Sequence, residues 1–118
     1  MDRDDLKKRT KEFALRIIKL VDALPKNTSG RAIGNQLVRC GTSVGANYRA
    51  ACRGRSKAEF VAKLGIVLEE VDESAFWLEL ISESALLPVK KVEGLLQEAN
   101  ELTAIFAKST YTARQNKA

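Results

Sequence analysis

The sequence contains no histidine. That removes the commonest general acid–base side chain and the commonest transition-metal ligand. It also removes the Glu-x-x-His pairs from which helical bundles build di-iron sites, although carboxylates are plentiful between Glu69 and Glu83. Cys40 and Cys52 form no CxxC pair and have no histidine partner, so neither a zinc site nor an activated thiol is expected. Both read as small buried residues, and their ~18 Å separation along one predicted helix rules out a disulfide between them. No GxxxxGK[ST] or GxGxxG loop occurs, and Gly30, Gly34, Gly41 and Gly45 have the wrong spacing for a phosphate cradle. The expectation is a protein that is no enzyme, with no cofactor, no metal and no catalytic residue.

Turn formers are scarce as well. Two prolines, seven glycines and 6% aromatics fit long helices better than many short strands, so the expected class is all-α. At 118 residues and 45% hydrophobic content the chain is expected to be one domain, 1–118, with a single core. No apolar run is long enough to span a bilayer, and the opening MDRDDLKKRT is charged where a signal peptide needs an apolar centre. A cytoplasmic protein without membrane contact is expected.

What is abundant is positive charge, unevenly placed. The net charge is +5, but residues 1–60 hold 14 Lys+Arg against 6 Asp+Glu, and residues 61–118 hold 6 against 9. An anionic partner is therefore sought on the first half. The other reading is that basic helices simply pack beside acidic ones.

Apolar spacing predicts four helices at about 3–24, 30–53, 57–85 and 88–109, with a frayed tail over 110–118. Leu6, Phe13, Ile17, Leu20 and Leu24 give the first its stripe, and Asp2, Asp4 and Asp5 favour the positive end of its dipole. Pro25 stops it, and PKNTSG is a turn with cap candidates at Asn27, Thr28 and Ser29. SKAE at Ser56 is a capping box that starts helix three. Pro88 suits the first turn of helix four. Short connections imply an up-down-up-down antiparallel bundle.

Helix two carries three surfaces. Ile33, Leu37, Cys40, Val44, Tyr48 and Ala51 fall within an arc of about 80° and form the core face. Gly34, Gly41, Gly45 and Cys52 form a small-residue strip where another backbone can approach. Arg31, Asn35, Arg39, Thr42, Ala46, Arg49 and Arg53 lie opposite the core. Arg31, Arg39, Arg49 and Arg53, with Arg55, Lys57 and Lys63 beyond the turn, could grip phosphates. The competing reading is an arginine face paired to helix-three glutamates or to a neighbouring subunit. On helix three, Ile66, Phe76, Trp77 and Leu80 lie outside the core stripe beside Glu69, Glu70 and Glu73, which suggests a subunit interface.

The run NQLVRCGTSVGANYRAA, followed by SKAEFVAKLGIVLEEVDESAFWLELI, resembles the four-helix-bundle family of proteins encoded in intervening sequences of bacterial large-subunit ribosomal RNA genes. The resemblance rests on Gln36, Leu37, Arg39, Thr42, Ser43, Val44, Asn47, Tyr48, Ser56, Phe60, Glu70, Glu73, Trp77 and Leu78. It implies a ring-like homopentamer. A relative in diversity-generating retroelements, the accessory variability determinant, is a basic pentamer that binds nucleic acid and partners a reverse transcriptase. By this resemblance the expected partners are further copies of the chain, RNA or DNA, or a protein such as a reverse transcriptase. Many relatives carry a glutamate just after the Asn-Tyr-Arg segment, where this chain has Ala50.

Overall fold

A computed structural model describes residues 1–115. Among them the chain forms four helices and no strand: α1 (Arg3–Asp22), α2 (Thr28–Cys52), α3 (Lys57–Glu83) and α4 (Val89–Gln115). Each helix packs on the next, and α1 returns to α4 along the least extensive seam. The result is an antiparallel up-down-up-down bundle, a rod of 50 × 20 × 20 Å. Residues 116–118 of the expected tail lie outside the described residues.

Local chemistry sets the helix ends. The Asp2 carboxylate accepts from the Asp5 amide at 2.8 Å, and Asp5 returns a contact to the Asp2 amide at 3.3 Å. The acidic opening of α1 is therefore a reciprocal cap as well as a partner for the dipole. Asn27 Oδ1 accepts from Gly30 at 2.8 Å and starts α2 at Thr28, ahead of the expected position 30. Ser56 accepts from Glu59 at 3.1 Å as expected, but the Glu59 carboxylate bonds the amide of Arg55 at 2.5 Å, one residue before the cap. At the end of α3, Ala85 takes φ 59°. The amides of Ala85 and Leu86 bond the carbonyls of Ser82 and Ile81 at 3.2 and 3.1 Å, a left-handed C-terminal lock.

Helix α4 continues to Gln115, past the expected end at 109. The apolar pattern fades at Thr110 because threonine does not register as a core residue, yet Thr110 is buried and Ala113 packs on the core. The core itself holds Phe13, Ile17, Leu37, Val44, Leu64, Val71, Leu78, Leu102 and Phe106. Tyr48 completes it with its ring centroid 5.4 Å from that of Phe106.

The small strip of α2 faces α1. A Cβ at position 41 would sit 2.8 Å from two carbons of Ile17, and one at position 45 would sit 3.3 Å from the Thr10 carbonyl oxygen. Absence of side chains there lets α1 lie close, which fixes the groove between the two helices.

Candidate nucleic-acid interface

The arginine arc of α2 is about 80° wide on a ~3.6-residue helix, so its two edges meet different neighbours. Arg39 lies at the α3 edge. Its guanidinium donates to Glu73 at 2.5 Å and to Glu70 at 3.3 Å. Glu73 also accepts the Trp77 indole N–H at 3.0 Å. That bond and the Arg39 guanidinium hold the Glu73 carboxyl below the usual range, while Arg39 is held more firmly protonated by Glu73. Arg39, expected among the phosphate-gripping arginines, is thus engaged within the chain by the helix-three glutamates that the competing reading set against the whole arginine face.

Arg49 lies at the α1 edge. Together with Lys7, Lys8 and Lys11 it lines a groove of about 510 Å³ between α1 and α2, floored by Thr42, Gly45 and Ala46. Asp4 is the one carboxylate among the described residues lining that groove. Arg49, Lys8 and Lys11 are exposed, and none of the four cations forms an ion pair among the described residues. Arg53 follows Arg49 by one turn. Around the adjoining end of the bundle, Arg55 and Lys57 share a smaller hollow with Arg3, whose guanidinium lies 4.7 Å from the Phe60 ring centroid. Arg31 is exposed at the opposite end of α2, about 27 Å from Arg49 at ~1.5 Å per residue.

The expected patch is therefore divided. Arg49, Arg53, Arg55 and Lys57 gather toward one end, Arg39 is tied to α3, and Arg31 stands apart. Lys7, Lys8 and Lys11 were not among the expected site residues; the run KKRTK, which puts lysines at i, i+1 and i+4 on α1, is the signal for them. Arg9 was also missed. It crosses to α4 and pairs with Glu98 at 2.7 Å and Glu101 at 3.0 Å.

The polar motif residues bond their own helix one turn back. Thr42 and Ser43 hydroxyls donate to the carbonyls of Val38 and Arg39 at 2.6 and 2.7 Å, and Asn47 Nδ2 donates to Ser43 at 2.9 Å. Gln36 is exposed, while Tyr48 is a core residue whose hydroxyl burial pushes upward in pKa, so it offers no ring for base stacking. Cys40 is buried, its thiol likewise pushed up, with the Ser74 hydroxyl 3.3 Å from Sγ; Cys52 is a half-buried free thiol.

On α3, Phe76 is 51% exposed and Ile66 37%. Trp77 is half-buried and meets Phe76 edge-on with centroids 5.1 Å apart. Leu80, half-buried, follows one turn on, whereas Ile66 lies about 15 Å back along the axis. No helix among the described residues is long and apolar enough to cross a membrane.

Fold and surface together define a small helical-bundle protein with a groove in which four cations face one carboxylate. Its family follows from comparison with known proteins. The chain belongs to the 23S rRNA-intervening sequence protein family, whose model matches residues 4–108. It is similar to a crystal structure of a protein of unknown function from the S23 ribosomal protein family of Bacteroides thetaiotaomicron VPI-5482. The identity is 31% and the TM-score 0.86, over 94% of this chain and 99% of that one. No curated protein matches. Neither description names a catalytic activity.

Proposed function

We propose that this chain is a cytoplasmic, non-enzymatic protein that binds the phosphate backbone of RNA or DNA. The observation that carries this reading is the convergence of Lys7, Lys8, Lys11 and Arg49 on one groove, against the single carboxylate of Asp4. Arg53, Arg55 and Lys57 extend the positive field around the same end. Binding is mainly electrostatic and nearly independent of sequence, because a groove between two helices aims no element at base edges. The test is charge reversal in the groove. Lys8→Glu with Arg49→Glu abolishes binding to a labelled RNA hairpin and a DNA duplex, whereas Arg39→Gln leaves it intact. Equal loss in both variants, or in neither, refutes the assignment of the groove.

A second reading is supported by Phe76. A phenylalanine half in water beside Trp77, Leu80 and the acidic face of α3 fits a contact with further copies of the chain, as a ring-like homopentamer, or with a protein partner such as a reverse transcriptase. Phe76→Glu separates the two readings: it dissociates an assembly built through α3 and leaves the groove's phosphate binding per chain in place.

A further inference from the structure

Along the seam between α1 and α4, two arginines reach across from the same side of α1. Arg9 finds Glu98 and Glu101. Arg16, two turns on, forms no ion pair among the described residues. Its guanidinium instead lies over Gly94, with Nη2 3.5 Å from where a Cβ at that position would stand.

Arg16 borders a cleft of about 630 Å³, within the ~300–1,000 Å³ span of small-molecule sites. Lys19 joins it from α1, and Lys90 and Lys91 come from the first turn of α4, which contains no acidic residue. No carboxylate lines the cleft among the described residues, and its floor is Leu20, Leu87 and Leu95. Four cations around an apolar floor are complementary to an anion with an apolar body. Four positive charges suit a phosphate dianion better than one carboxylate.

Length decides what kind of ligand. The cleft runs from Arg16 to Ala23 along α1, about 10 Å at ~1.5 Å per residue, and the Leu87–Pro88 connection bounds one end while Arg16 over Gly94 bounds the other. That is too short for several turns of a partner helix.

We propose that this cleft binds a phosphate monoester carrying a short alkyl or acyl chain, with the head among Arg16, Lys19, Lys90 and Lys91 and the chain on the three leucines. The site is separate from the groove between α1 and α2 and stands or falls independently of it. The probe is n-octyl phosphate, added to the full chain and followed by calorimetry and by amide NMR shifts at Leu20, Gly94 and Leu95. Saturable one-to-one binding is expected, with inorganic phosphate and n-octanol each at least about tenfold weaker, since each buried methylene adds to affinity. Arg16→Gln removes the head contact. Gly94→Leu fills the cleft while improving helix propensity, so it remains folded. Each variant is expected to weaken binding about tenfold or more. Three results overturn the proposal: inorganic phosphate or an oligonucleotide binding there as well as octyl phosphate, which makes the cations an extension of a phosphodiester surface; undiminished binding in Gly94→Leu; or no saturable binding of octyl phosphate, which makes the cleft a subunit contact where the shifts depend on protein concentration.

Discussion

The Arg39 guanidinium on α2 and the Glu73 carboxylate on α3 lie 2.5 Å apart, and Trp77 on α3 donates to the same carboxylate at 3.0 Å. This relationship cuts the arginine face in two. The middle of α2 is fastened to α3, and the free cations lie on the side of α1.

The pair predicts a pH dependence. The Glu73 carboxyl is held below its ordinary value of 4.5 by Trp77 first and Arg39 second, so its contribution is present above that value and is lost as pH falls through the lower folded value. In Glu73→Gln the acid limb of thermal stability is shallower than in the parent chain, as melting scans below about pH 4.5 will show. Identical limbs would mean that the carboxylate is not held in solution.

Ala85 occupies the left-handed region with φ 59°, a conformation that costs a non-glycine residue about 1 kcal/mol or more. Ala85→Gly relieves that strain while keeping the Ser82 and Ile81 carbonyls bonded. Stability rises by about 0.5–1 kcal/mol in urea unfolding, less whatever freedom glycine adds to the unfolded chain. A loss of stability would mean that the α3 terminus is not locked this way.

Gly30 lies where any side chain would overlap the Pro25 carbonyl oxygen. Gly30→Ala therefore moves the backbone of the turn between α1 and α2 and costs about 1–3 kcal/mol, read as a lower melting temperature. An unchanged melting temperature would contradict the close turn.

Thr110 Oγ1 is buried with no hydrogen-bond partner among the described residues. Thr110→Val keeps the shape and removes the unsatisfied hydroxyl, so stability rises by about 1 kcal/mol in chemical unfolding. A drop of similar size would show that the hydroxyl is bonded.

The bundle was legible because its signals are local. Leu37, Val44, Leu64 and Phe106 announce core faces by spacing, and Ser56 announces the start of α3 by its side chain, whereas three adjacent cap candidates, Asn27, Thr28 and Ser29, leave the start of α2 open in the sequence. The end of α4 was not legible, because Thr110 is buried through tertiary packing while its own chemistry is polar. The candidate site was legible only in part. Helical periodicity gives the angle of Arg39 and of Arg49 on α2 to within one arc, but which edge of that arc meets the Glu70–Glu73 carboxylates depends on how α2 is rotated between α1 and α3. Lys7, Lys8 and Lys11 join Arg49 only because Gly41 and Gly45 draw α1 close, a relation between helices that no single-helix pattern contains.

Phosphate binding in the groove between α1 and α2 is measured by fluorescence anisotropy of labelled structured RNA and duplex DNA from about 50 to 200 mM salt. Saturable binding is expected, with log affinity falling linearly with log salt at about −0.9 per contacted phosphate on duplex DNA, and with a slope smaller by about two in Lys8→Gln with Arg49→Gln. Binding absent at the lowest salt, or a slope unchanged in that double variant, would contradict it.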